Sequence, residues 1–441
     1  MNILFLAPHP FYQDRGTPIA VNLILRVLSE RRELVDVITY HEGSDVQYDG
    51  MTLSRIPRLP FIQDVRPGFS FKKLICDGFM TVRVLQQLLK KQYHVVHAVE
   101  ESVFIALVLK AIFRVPYVYD MDSSLAQQMV EKHPALGPLL SIFTYLESLA
   151  VKHAKAVAPV CEALGDLALN HGAEKVCILH DVPLLEHSSS PERASADTEI
   201  ANDRLITMYV GNLEVYQGID LLLDSFSLVA AQVSRVDLVI VGGAKADIQK
   251  YQQKSRDLGI EERVSFLGPK PIDRLSSFLA KADILVSPRR KGNNTPMKLY
   301  SYLQSGKPIV ATNLPTHTQV LNEEVAILAE PCSESFAQGM VRLIKDQALG
   351  IEIGAAGKEL VEQEFSYAAF REKVNGLYDW IGTGLESQTE AAAPFIGSHR
   401  QARAVRLGSL RTPIPSGSRR FSSRANNPHR LQATKGGHPG Q

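Results

Sequence analysis

Cysteine is scarce in this chain. The four present, Cys76, Cys161, Cys177 and Cys332, show no spacing that would hold a metal, and they read as reduced thiols of a cytosolic protein. Long apolar runs are missing too. The longest, Val103–Phe113, is interrupted by Lys110 and is too short to span a bilayer. The opening Met1–Pro8 lacks the basic start and the length of a secretory signal. Charge of one sign is also lacking: the net charge of +1 argues for no specific nucleic-acid partner and no strongly acidic one. The dinucleotide fingerprint G-x-G-x-x-G is absent after the first strand-like run, which disfavours a nicotinamide cofactor. The expectation is a cytoplasmic protein, with peripheral contact at an inner membrane face left open.

What is present is length and alternation. A chain of 441 residues exceeds one ordinary core and suits two. Apolar, β-branched runs recur at Ile3–Ala7, Val35–Thr39, Met51–Ile56, Val95–Ala98, Tyr117–Tyr119, Val157–Val160 and Val176–Leu179. They recur again at Leu205–Val210, Val236–Val241, Val264–Leu267, Ile284–Ser287, Ile309–Ala311 and Val325–Leu328. Helical patterns separate them, among them Pro18–Glu30 and Leu136–His153, so each half reads as a parallel sheet covered on both faces. The reading divides the chain into a first domain (1–185), a Ser- and Pro-containing linker (186–204), a second domain (205–365), a closing helix (366–383) and a tail (384–441). The tail carries eight Arg and one Lys against two Glu with few periodic apolar positions, and is expected to be a disordered basic segment.

Three loops follow strand-like runs and open helical ones, where a doubly wound sheet binds ligands. The first holds Gly16 and Thr17 before Pro18, a glycine for close backbone approach and then an N-cap and a first helical residue. The second holds Gly211, Asn212, Gln217 and Gly218, whose glycines and amides suit a phosphate or hydroxyl contact. Gly242 and Gly243 form a similar turn. The third runs Ser287–Lys298 and gathers Arg289, Arg290, Lys291 and Lys298 around Gly292, Asn293, Asn294 and Thr295. Four cations near an expected helix start at Thr295–Pro296 favour a diphosphate. Taken one at a time, a capped turn or a solvated charge run would look the same.

Gly211–Leu223 resembles a segment of the family-4, or group 1, glycosyltransferases written G-R-L-x-x-x-K-G-x-x-x-L-L. Leu299–Thr312 resembles their E-A-M-A-x-G-x-P-V-V-A segment, and Val241-Gly-Gly and Val264–Gly268 sit where the family has a glycine turn and a V-x-F-x-G strand. The resemblance implies the GT-B fold, an α/β architecture of two tandem Rossmann-like domains facing a crevice. It implies an acceptor on the first domain, a nucleotide-diphosphate sugar as co-substrate on the second, and transfer with retention of configuration. It implies neither a metal nor another cofactor. The acceptor is expected to be a glycan, a lipid or a small molecule in carbohydrate or cell-envelope biosynthesis.

The departures fall on the chemistry. The family's paired glutamates align with Asn293 and Ser301, its Arg and Lys with Asn212 and Gln217, and a common histidine with Asp122. One reading moves the cations to Arg289, Arg290 and Lys298 and reads sugar hydroxyls with amides. The other is a non-catalytic protein of the same fold that binds a sugar nucleotide or a partner. Asp120-Met121-Asp122 also has the D-x-D form of a metal motif, but a contact of Asp122 with a sugar hydroxyl or the acceptor is the reading adopted. The residues expected to carry catalysis are thus Asp122, Arg289 and Lys298. His97 and Glu100, at and just beyond the end of the Val95–Ala98 run, are expected to line the acceptor pocket, with a buried structural histidine the alternative reading of His97. Between Arg66 and Tyr93 lies a basic amphipathic stretch that either rests on a membrane or is an ordinary helix with a solvated face.

Overall fold

The apolar runs become strands. A computed structural model describes residues 1–13, 16–63, 65, 70–185 and 203–392. The first domain holds β1 (Asn2–Ala7), β2 (Leu34–Thr39), β3 (Met51–Arg55), β4 (Val95–Val99), β5 (Tyr117–Met121) and β6 (Ala156–Pro159). The second holds β7 (Leu205–Val210), β8 (Val236–Val241), β9 (Val264–Gly268), β10 (Ile284–Ser287), β11 (Ile309–Thr312) and β12 (Ile327–Ala329). The sheet orders are β3-β2-β1-β4-β5-β6 and β12-β11-β10-β7-β8-β9, every paired neighbour parallel. Both orders reverse between the first and fourth strands of the domain, and there a doubly wound sheet opens its binding crevice.

Alternation along each strand divides the cores. On β1, Leu4 and Leu6 join one cluster while Ile3, Phe5 and Ala7 join the other, on the opposite face of the sheet. The second sheet is sandwiched in the same way by two further clusters. The expected strand Val176–Leu179 does not form a full ladder. It makes one isolated bridge, Val176 to Val157, with Cys177 and Leu179 N–H groups donating to Val157 and Pro159 carbonyls. The edge of the sheet is reached there and the chain is already turning toward the second domain.

The last helix, Tyr367–Ala392, returns to the first sheet. Phe370, Val374, Leu377, Tyr378 and Ile381 enter the core of β1, β2 and the helix Gly16–Glu30, each fully buried apolar side chain contributing about 1.5–3 kcal/mol. Arg31 Nη2 donates to Asp379 Oδ1 at 2.8 Å and Tyr367 Oη to Glu30 Oε1 at 2.9 Å. This helix runs past 383, so the basic tail does not begin at 384 as expected. The tail from 393 and the linker from 186 to 202 lie outside the described residues.

Candidate active site

Glycines bring the loops of the second sheet together at its switch point. Gly211 (φ +147°) ends β7, and Gly242 (φ +111°) ends β8; a Cβ on Gly242 would lie 2.1 Å from Gly211 O. Gly218 (φ +76°) is held equally tightly, its would-be Cβ 1.9 Å from Pro288 O. Side chains are excluded at both points because the backbones after β7, β8 and β10 touch.

Into this junction comes Lys298, from the helix Lys298–Gln304. Its Nζ donates to Gln217 Oε1 at 3.2 Å and stands 3.8 Å from the centroid of the Tyr209 ring. No carboxylate reaches it within ion-pair distance among the described residues. Burial, and then the Arg289 guanidinium, hold its pKa well below the usual lysine range. Gln217 is buried and Asn212 exposed, with Asn212 O accepting from Tyr209 Oη at 2.6 Å. Gln217 occupies the position where the family resemblance places a lysine, so the ammonium of Lys298 now stands beside that position.

Arg289 does not present a free cation. Its guanidinium folds into its own loop, donating from Nε to Lys291 O (2.9 Å), from Nη1 to Asn294 O (3.0 Å) and from Nη2 to Asn294 Oδ1 (3.1 Å). It fixes the loop's shape. A second brace is His317, whose Nε2 pairs with Ser287 Oγ (2.9 Å) and whose Nδ1 pairs with Thr312 O (2.8 Å). Burial pushes its pKa down to about 3, so it stays neutral. Arg290 remains exposed, and its backbone N–H donates to Tyr216 O at 2.9 Å. Thr295 is buried beside Tyr300 and caps no helix. The helix starts at Lys298, later than Thr295–Pro296 implied, because a 3-10 turn from Pro296 to Leu299 comes first.

Ser301 departs from its expected role as a donor contact. It is buried, and its Oγ accepts from Leu184 N at 3.0 Å, which pins the segment crossing between the domains. Asn293 lies where the two halves meet. Its Nδ2 donates to Gln127 Oε1 at 2.6 Å, and its carbonyl accepts from Gln319 Nε2 at 2.8 Å, while Gln319 Oε1 accepts from Ala163 N at 2.7 Å. The donor-side loop is thus hydrogen-bonded to the first domain. Gln127 and Gln319 gave no signal in the sequence, since one is a polar residue on the helix Leu125–Lys132 and the other caps the short helix Pro315–Thr318, with no motif around either.

The first-domain side of the crevice is acidic. Gly16 is exposed and opens the helix Gly16–Glu30; Thr17 hydrogen-bonds Asp122 just beyond β5. Burial, with Asp120 and Glu100 adding, raises the Asp122 carboxyl well above its usual range despite that bond. Glu100, at φ +45° after β4, is pushed up to about 7 by burial, with Glu101 and Asp120 adding and Lys73 opposing. Burial also lifts Asp181 to about 7. Lys73, buried on the helix Phe71–Leu88, makes an ion pair with Glu101 and lies 4.0 Å from Glu100 Oε2. Only its placement in the first turn after the N-cap Ser70 hinted at an inward role.

His97 does not line the acceptor pocket. It is fully buried between Phe5, stacked at 4.4 Å, and the closing helix, with Nδ1 paired to Tyr378 Oη at 2.8 Å and Nε2 to Asp120 Oδ2 at 3.3 Å. It joins the closing helix to the acid cluster.

Two family models match, one on each domain: "Glycosyl transferase 4-like domain" over residues 15–180 and "Glycosyl transferases group 1" over residues 204–346. The chain is similar to a D-inositol 3-phosphate glycosyltransferase of Corynebacterium aurimucosum, 27% identical over 196 residues that cover 42% of this chain and 46% of the relative. It is similar to the phosphatidyl-myo-inositol mannosyltransferase of Mycobacterium leprae, 25% identical over 57% of this chain and 66% of the relative. The matched part therefore spans about half to two thirds of these relatives. Its fold is that of sucrose-phosphate synthase from Thermosynechococcus elongatus (TM-score 0.72, 17% identity, 87% of this chain and 99% of that one). It is also that of Anabaena HepE in complex with UDP (TM-score 0.68, 17% identity, 86% of this chain and 100% of that one).

Proposed function

Because the chain is a group 1 glycosyltransferase of GT-B architecture, we propose that it transfers a sugar from a nucleoside diphosphate to an acceptor held on its first domain. The observation that carries this reading is Lys298, a half-buried ammonium at the switch point with an amide and a ring for company and no counter-ion among the described residues. A diphosphate supplies the missing charge. As the anomeric C–O bond breaks, negative charge grows on that diphosphate, and a preorganised cation stabilises it most where it develops. The Gly16–Thr17 backbone N–H groups offer a second contact at the start of a helix. The amide of Asn293 reads a sugar hydroxyl in place of a carboxylate, and that of Asn212 does so where the family resemblance places an arginine.

The retaining outcome and the independence from metal rest on the family resemblance. The acceptor meets the first-domain carboxylates Glu100 and Asp122, and a glycan or lipid-linked glycan with its many hydroxyl donors suits them. The hydrogen bonds of Asn293 and Gln319 across the halves support a closed form that keeps water from the donor. A cytoplasmic setting, where nucleotide sugars are made, fits the four free cysteines.

Calorimetric titration with a panel of nucleoside diphosphates and their sugars tests the proposal. Binding of one of them, lost in Lys298→Met, is expected. Absence of binding across the panel refutes it. Binding without turnover or donor hydrolysis in the presence of glycan and lipid acceptors moves the chain to a sugar-nucleotide-binding role.

A further inference from the structure

Three helices cover the same side of the first sheet: Phe71–Leu88, Ser102–Phe113 and Leu140–His153. Their inward residues share one core, with Met80 and Val84 from the first, Ala106 and Leu109 from the second, and Ala150 and Val151 from the third. Lys110 Nζ donates to His153 O at 2.7 Å and ties the second to the third. Their outward residues are large and apolar. Phe71 and Leu74, Val108 and Ile112, and Ile142 and Tyr145 are each more than half exposed. An apolar surface built from three adjacent elements marks a contact face.

The solvent-facing charges of these three helices have one sign; exposed Glu162 and Asp166 belong to the neighbouring helix Glu162–Asn170 on the same side of the sheet. Lys72, Arg83 and Lys152 are exposed. The helices contain two carboxylates, and both turn inward: Asp77 accepts from Tyr40 Oη at 2.5 Å, and Glu147 accepts from Ser124 Oγ at 2.9 Å and Leu125 N at 2.6 Å. A second copy of the chain would set these cations against one another across a two-fold axis. An anionic surface complements them.

We infer that this three-helix face docks on an anionic phospholipid bilayer, its apolar side chains among the acyl chains and its Lys and Arg at the headgroups. The stretch Pro134–His153 is long and apolar enough to cross a membrane, yet it lies against the sheet. Glu147 anchors it to Ser124 and Leu125, and Ala150 O accepts from Tyr117 Oη at 2.5 Å. It meets the bilayer side-on. The face begins at the rim of the crevice: within one turn, Phe71 and Leu74 point out while Lys73 points in to Glu101 beyond β4. That position would give the first domain access to a lipid-linked acceptor, a consequence that rests on the transferase reading; the docking itself does not.

Co-sedimentation of the full chain with vesicles of phosphatidylcholine, alone or mixed in equal parts with phosphatidylglycerol, tests the inference without any donor present. Binding to the anionic vesicles only, weakened by salt, is expected. Ile142→Ser with Tyr145→Ser is expected to reduce partitioning about tenfold, and Lys72→Glu with Lys152→Glu to do the same at low salt. These side chains are exposed, so the thermal midpoint and nucleotide binding should stay unchanged and separate a lost surface from a lost fold. Binding to neither vesicle, or unaltered binding by both variants, overturns the inference. So does a concentration-dependent dimer abolished by Ile142→Ser with Tyr145→Ser, which would assign the face to a second copy.

Discussion

Replacing Lys298 with Met should move ligand binding and stability in opposite directions. The ammonium sits 3.2 Å from Gln217 Oε1 and 3.8 Å from the Tyr209 ring centroid, without a carboxylate partner among the described residues. Removing such a charge from water costs several kcal/mol that a neutral hydrogen bond repays only in part. Methionine keeps the apolar stem and drops the charge. The folded protein is therefore expected to gain stability in the variant. The sign with pH follows from the lowered pKa. The unfolded chain holds the proton up to the ordinary value of 10.5, while the folded chain releases it earlier, so the penalty is full below the folded pKa and fades as pH rises to 10.5. The gain in thermal midpoint is largest below the folded pKa and vanishes as pH rises through 10.5.

Ligand binding responds the other way. A charge-assisted hydrogen bond to a diphosphate is worth about 1.5–3 kcal/mol, so the Kd for the preferred nucleoside diphosphate should rise about ten- to a hundredfold. An unchanged Kd removes Lys298 from the site. A Kd and a thermal midpoint that deteriorate together refute the reasoning, because they would make the lysine a structural element.

Gln127→Ala removes the acceptor of the Asn293 amide across the two halves; nucleotide affinity by calorimetry should stay within about fivefold, since an exposed neutral hydrogen bond is worth only about 1 kcal/mol, while turnover of donor falls. Tyr378→Phe leaves His97 Nδ1 without its partner in a closed core, and denaturant unfolding should show a loss of about 1–3 kcal/mol with nucleotide affinity intact. Glu100 has a raised folded pKa of about 7, so its protonation stabilises the fold below the ordinary value of 4.5 and that contribution is lost as pH rises through 7. Glu100→Gln should accordingly raise the thermal midpoint at pH 8 and leave it nearly unchanged at pH 4, and a uniform shift at both would contradict the buried-carboxylate account.

Most of the architecture was legible because buried parallel strands show as nearly continuous apolar runs. β7, β8 and β10 fall on the residues those runs marked. Val176–Leu179 carried the same pattern and yet makes only one bridge, since its partner strand β6 ends in Pro159, which has no N–H to continue the ladder. The glycines of the site were legible for a related reason: Gly211 and Gly242 follow strand ends, Gly218 opens the helix Ile219–Gln232, and all three adopt positive φ. Side-chain direction was not. Arg289 and Lys298 look alike in a basic loop, but one braces the loop and the other enters the crevice. Ser301 and His97 sit beside chemistry and face away from it, each engaged with a distant segment.

The sequence by itself determined the alternation that builds two doubly wound sheets, the glycine turns at their switch points and the cation-rich loop after β10. Those features are local, fixed by the conformational freedom of glycine and by the period of apolar residues. Tertiary structure alone decided which cation stands without a counter-ion among the described residues. It also decided which carboxylates are pushed toward neutrality and which amides join the halves. Gln217 and Lys298, or Gln127 and Asn293, meet only after the sheets have formed and the closing helix has returned to the first domain. Burial and Coulomb interaction depend on distance in space, and distance along the chain does not report it.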